Sequence, residues 1–218
     1  MPKKPVTLAD WQALFDQIYG RRNRRRVRGE IWLHLVGRAG LLAEALRKEA
    51  ATRYIAAQLC HIFGWLCAFA NKEGIQLSQM VWKKYPGYCP YCRASVKCVC
   101  IGSLRKREIN WGQQPPLLDD TQLTLALSDW QKMFQRIYGN VNRVVARFQV
   151  GFHLFEEIGE TARVILQREE TELELEIADV FAWVMGLANK LGVDLSEHLW
   201  RMFKQGCPFC HHEVCQCD

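Results

Sequence analysis

Five acids set the chemistry this chain can do: Glu156, Glu157, Glu160, Glu176 and Asp179. On a helix, Glu156 and Glu160 lie four residues apart and Glu157 and Glu160 three apart, so they share a face. Glu176 and Asp179 repeat the three-residue spacing further on. If the two segments are antiparallel neighbours, four carboxylates converge on one volume. Packed together without a counter-charge they would repel and take up protons, unless a hard cation neutralised them. Magnesium suits such an all-oxygen set because it keeps positions for water or substrate phosphates. Solvated helices carry the same residues with no metal, but here the acids lie beside Phe155, Ile158, Ile177 and Val180 in apolar segments.

Eight of the 10 cysteines form a second kind of site. Cys89, Cys92, Cys98 and Cys100 follow the pattern C-P-x-C then C-x-C, and Cys207, Cys210, Cys215 and Cys217 repeat it. Four thiolates within so short a stretch are enough for one tetrahedral zinc, and a zinc with four protein ligands has no open position, so both sites read as structural. Disulfide pairs and an iron–sulfur cluster are the alternatives, and His211 or His212 is a substitute ligand. With no signal peptide at the start, MPKKPVTLADW, a reducing cytoplasmic setting is expected, which favours zinc over disulfides. Cys60 and Cys67 fall on an apolar segment and are expected to be buried.

These sites sit on a duplicated framework. LADWQALFDQIYG (Leu8 to Gly20) matches LSDWQKMFQRIYG (Leu127 to Gly139), FANKEGIQL answers LANKLGVDL, and the cysteine hooks follow in the same order. The first copy has Gly37, Arg38, Leu41, Gln58 and His61 where the second has its acids, so one metal site is expected and one repeat kept for architecture. Residues 1–100 form the first unit, 101–126 a linker containing Arg105, Lys106, Arg107, Glu108 and Pro115-Pro116, and 127–218 the second. His153 recurs as His34, which argues for packing.

The periodicity predicts an all-α fold of two tandem four-helix units packed as an internal pseudo-dimer. Thr7 and Ser128 open the first helices, Ser128 with Gln131 at capping-box spacing, and Tyr19-Gly20 and Tyr138-Gly139 close them. Second helices are expected over Asn142 to Arg168, with Phe148, Phe152, Phe155 and Ile158 on the apolar face, and over Asn23 to Lys48. A third runs from Glu170 to Leu191 with Gly192 as its stop, and Asp194 to Glu197 opens a fourth ending near Lys204. The apolar run Tyr54 to Ala70 is interrupted by Gln58 and His61 and falls short of a membrane span, so no membrane association is expected.

Charge is unevenly divided. Residues 1–122 hold 20 basic and 9 acidic side chains, a balance of +11, against 9 and 14, or −5, over residues 123–218. The sharpest basic feature is RRNRRRVR at Arg21 to Arg28. It suits phosphate recognition or nucleic acid, and equally a solvated helix.

FEEIGETARVI with LEIADVFAWVMGLANKLGVDL resembles the MazG-like, all-α nucleoside triphosphate pyrophosphohydrolase superfamily, whose signature is Glu-Glu-x-x-Glu followed by Glu-x-x-Asp. The resemblance spans about Leu127 to Lys204, and the first copy shares only the framework. It implies magnesium held by Glu157, Glu160, Glu176 and Asp179, with Glu156 either a further ligand or, with Glu157, part of the catalytic pair that handles the attacking water. It implies cleavage of a nucleoside triphosphate between the α and β phosphates, giving a monophosphate and pyrophosphate.

Trp183, one turn beyond Asp179, is placed to stack on a base or to fill the core. Lys190, Arg24 and Arg25 are candidates for the phosphates, and Trp32 or Trp65 of the opposing repeat for the base. The rival reading is an inactive nucleotide sensor, or a nucleic-acid or protein-binding module built on the hooks and the basic run. Further homodimerisation and nucleic acid are left open.

Overall fold

The computed structural model describes residues 3–100 and 124–217. The expected linker, with its charged run and Pro115-Pro116, lies outside the described residues except for Thr124 to Ala126. Among the described residues the chain is helical, with one isolated bridge between Thr7 and Ala126. The first repeat forms α1 (Leu8–Asn23), α2 (Arg28–Arg47), α3 (Thr52–Glu73) and α4 (Leu77–Lys84). The second forms α5 (Leu127–Val144), α6 (Arg147–Gln167), α7 (Glu170–Lys190) and α8 (Leu195–Phe203).

Thr7 caps α1 through its side chain, and the Asp10 carboxylate returns the bond to the Thr7 N–H. The expected Ser128 cap is not made: α5 starts at Leu127 after Ala126. Gln131 instead accepts from the Leu195 N–H (3.2 Å) and donates to the Val193 carbonyl (2.7 Å). Gln12 does the same for Ile75 and Leu77, which explains its recurrence. Both first helices run past Gly20 and Gly139. A lone glycine costs a helix only about 1 kcal/mol, and the extra turn buries Asn23 and Asn142.

The inward face of α6 also differs from expectation. Val150, Leu154, Ile158 and Val164 are buried, whereas Phe148 and Phe152 are 47% and 56% exposed. Gly151 sets that face, because a Cβ there would meet Leu46 Cδ1 at 2.5 Å; the missing side chain lets α2 approach α6.

The repeats pack about a pseudo-twofold axis. Phe63 and Phe181 occupy matching positions in α3 and α7 and meet at 6.2 Å between ring centroids. This is the self-complementary contact that twofold packing generates. The fourth helices are exchanged: α4 lies on α7 and α8 on α3. Each cysteine hook docks on the other repeat's first helix. The Cys98 N–H donates to the Ile137 carbonyl and the Cys215 N–H to that of Ile18, both at 2.7 Å.

By length and composition α3 is the one described helix apolar enough to cross a membrane, but 72% of that window is buried inside the bundle. Cys60 and Cys67 are fully buried within it.

Candidate metal centre

Two residues, Arg168 and Glu169, separate α6 from α7, so these helices return antiparallel and their acids face one another. Carboxylate oxygens of Glu157, Glu176 and Asp179 all lie within 4.8 Å of one another. Glu160 and Glu156 are exposed and stand outside this group, so three acids converge, not four. Glu156 turns outward to His153 Nδ1 at 2.7 Å. The helical spacing does not by itself fix which of three neighbouring glutamates points inward.

Two groups from the first repeat complete the site, and neither was foreseen. Lys84, the last residue of α4, donates to Asp179 Oδ2 and to the Leu175 carbonyl (3.3 Å). Tyr85 Oη donates to Asp179 Oδ1. Their side of the sequence carried a signal: Met202 and Phe203 stand at the matching positions of the second copy, so polarity changes there in step with the acids. Trp183 Nε1 donates to Glu157 Oε1 at 3.2 Å, and the Trp183 ring stacks on His153 at 4.6 Å.

The electrostatics are those of acids short of positive charge. Burial, then the neighbouring Asp179 charge, pushes Glu157 up to about 8 and Glu176 to about 6. Burial also raises Asp179, against the pull of Lys84. Glu176 Oε2 is buried with no hydrogen-bond partner. An unpartnered buried carboxylate oxygen beside two further acids fits a divalent cation, whose charge would relieve all three.

A cavity of about 130 Å³ adjoins the acids, lined by Tyr85, Tyr91, Tyr138, Asn142 and Trp183. It is smaller than the ~300 Å³ or more of typical ligand pockets, so a larger ligand would extend across its mouth. A wider concavity, about 660 Å³, lies beside α1 and the end of α3. Several of its polar groups are paired with one another: Asn71 bonds the Gln12 carbonyl and Arg24 pairs with Asp16.

The remaining sequence candidates stand elsewhere. Lys190 donates to the Arg143 carbonyl at 3.0 Å, as Lys72 does to that of Arg24, so in both copies the lysine holds the end of the first helix. Arg24 and Arg25 are exposed and do not line the acidic cavity. Trp32 is buried, its Nε1 bonded to the Ile158 carbonyl. Trp65 lies against Tyr19 and His34 on the opposite side of the pseudo-twofold.

Both cysteine hooks are assembled. The four Sγ atoms of each lie within 4.8 Å of one another, all as free thiols. Sγ pairs at 3.6 to 3.9 Å match the edge of about 3.8 Å that a tetrahedron with Zn–S near 2.3 Å requires. The Gln216 N–H donated to Cys210 Sγ draws that thiol down to about 5, while burial pushes Cys215 and Cys217 up. Gly206, at φ 92°, permits the second hook, since a Cβ would strike the His212 carbonyl oxygen at 2.2 Å.

An all-helical bundle here gathers carboxylates from two antiparallel helices around one buried point, a donor set of the kind that could hold a cation. Residues 150–204 match the MazG nucleotide pyrophosphohydrolase domain. The matched segment contains all five acids, and the match supports a nucleotide pyrophosphohydrolase-like function in general, in a family that uses a divalent metal. No curated protein and no solved structure matches the chain.

Proposed function

We propose that the protein is a magnesium-dependent nucleoside triphosphate pyrophosphohydrolase with one active site, on the acids of the second repeat. The two repeats, residues 1–100 and 127–218, would form a single catalytic body. The observation that carries this reading is the convergence of Glu157, Glu176 and Asp179 around the unpartnered Glu176 Oε2, within a segment matching the pyrophosphohydrolase domain. These three residues would hold the cation, with Glu160 at the solvent side. When bound, magnesium would supply neutralisation of the triphosphate charge and a more acidic water.

The chain's own groups do the rest. Lys84 and Tyr85 fix both oxygens of Asp179, so that its orientation is set before substrate arrives. Glu157, beside the point where the cation would sit, would take the proton of the attacking water once the cation has displaced its own. Water adds at phosphorus, the bond between the α and β phosphates breaks, and monophosphate and pyrophosphate leave. Trp183, held by Glu157 and backed by His153, presents an aromatic edge beside the cavity. Glu156 lies outside the buried cluster, where its carboxylate stays with His153.

One observation favours the alternative, a nucleotide-binding module without turnover. The Lys84 ammonium already neutralises Asp179, as a resident cation would. A panel of ribo- and deoxyribonucleoside triphosphates with magnesium, assayed for pyrophosphate and monophosphate, separates the two. Pyrophosphate release that Glu176→Gln abolishes supports the hydrolase. Nucleotide binding with no release by the wild type selects the module.

A further inference from the structure

The pseudo-twofold gives the acidic cavity a counterpart in the first repeat, and there the charge is reversed. Arg38 stands where the second copy has Glu157, and His61 where it has Asp179. Arg22 and Arg26 replace Val141 and Val145. Arg22, Arg38, His61, Tyr19 and Trp65 line a cavity of about 210 Å³ at this place.

We infer that this cavity binds a phosphate-bearing anion. Part of the guanidinium capacity here is unused: Arg22 Nε is buried without a partner, as is Nη1 of Arg26 four residues on, while Arg22 Nη1 reaches the Cys217 carbonyl at 3.5 Å. Among the described residues no carboxylate forms an ion pair with Arg22, Arg26 or Arg38. Glu30 acts on Arg26 and His34 through its field, with no ion pair. Burial and Arg38 hold His61 down to about 4, so it adds a neutral polar edge and the fixed charge belongs to the arginines. Two forked cations, Arg22 and Arg38, line one small volume and match a multiply charged oxyanion, which accepts several charge-assisted bonds at once.

The aromatic wall points to the phosphoryl group as the part recognised. Trp65 has His34 stacked at 4.4 Å and Tyr19 at 6.1 Å, leaving little ring face for a base. Arg38 is held over the Phe209 ring, 5.4 Å from its centroid, at the rim.

A second role for these arginines would be to balance the thiolates of the nearby hook, since Arg22 Nη1 reaches the Cys217 carbonyl at 3.5 Å. The other hook docks on α5, which has Val141 and Val145 at the positions of Arg22 and Arg26, so a four-thiol hook assembles without these arginines. The proposal is independent of turnover at the acidic site and is tested without magnesium.

Titration calorimetry of the full zinc-loaded chain with inorganic phosphate, pyrophosphate and adenosine monophosphate tests it. Binding should be the same in wild type and Glu176→Gln, at least ~10-fold weaker in Arg22→Ala and Arg38→Ala, and partly restored in Arg38→Lys. It should weaken as salt rises. Tighter binding of the inorganic anions would name them as the source, and tighter binding of the monophosphate a nucleotide. No heat from any of the three at millimolar concentration overturns the proposal. So does binding unchanged in folded Arg38→Ala, or binding lost in Glu176→Gln, which would move the anion to the acidic cluster.

Discussion

Lys84 of the first repeat is buried against Asp179 of the second, with side chains only 4% and 9% exposed. The residue that breaks the symmetry of one copy thus answers the acid that breaks the symmetry of the other. Tyr85 takes the remaining Asp179 oxygen, so the acidic site includes both repeats and the exchange of α4 brings them together.

Replacing Lys84 by the residue at its matching position, Lys84→Met, would leave Asp179 as a buried charge without a partner. Loss of one member of such a pair destabilises by about 3 kcal/mol or more, whereas removing both is far milder. In urea unfolding without added magnesium, Lys84→Met should therefore be clearly less stable, and Lys84→Met with Asp179→Asn should recover most of the loss. Equal stability of wild type and the single variant would mean that the pair contributes nothing.

The acids should divide by position. Asp179→Asn and Glu176→Gln are expected to lower pyrophosphate release by more than ~100-fold, because each removes a charge from the cation centre. Glu160→Gln, at an exposed carboxylate, should lower it by less than ~10-fold. Equal losses in all three would place Glu160 among the inner ligands despite its exposure.

The acids themselves were legible because their helical spacing is local. Their inward or outward direction was not: Glu157 and Glu160 sit about 60° apart around a helix axis, enough to bury one and expose the other. Lys84 and Tyr85 were hidden because they reach Asp179 only through the crossing of α4, which no local pattern records. The run Arg21 to Arg28 read as one feature but splits in the fold. Arg24 pairs with Asp16, Arg28 with Glu73 and Glu170, and Arg22 turns into a cavity. The eight helices of the described residues followed from apolar periodicity, while helix ends shifted because burial of the next turn outweighed a glycine or an expected cap.

Stability should depend on pH through the same acids. Glu157 rises from an ordinary 4.5 to about 8, chiefly through burial and then through Asp179. The folded chain therefore holds a proton there that the unfolded chain has released. The stabilisation is full below about pH 4.5 and is lost as pH climbs toward 8. Without magnesium, the melting temperature of wild type relative to Glu157→Gln should fall across this interval, and millimolar magnesium should flatten the trend. A difference between the two proteins that does not change with pH would remove Glu157 as the titrating group.

The hooks should carry metal and act unequally. Two four-thiol clusters imply about two zinc ions per chain, with Cys92→Ser and Cys210→Ser each lowering the content to about one. The first hook docks on α5 through Cys98 and Asn140, and its Tyr91 lines the acidic cavity. The second docks on α1 and borders the cavity of Arg22 and Arg38. Loss of the first should therefore loosen the wall beside Asp179 and reduce pyrophosphate release, while loss of the second leaves turnover closer to wild type. Elemental analysis with parallel activity assays checks both, and zinc-free protein with full activity would refute the metal assignment and the positional role of the hooks together.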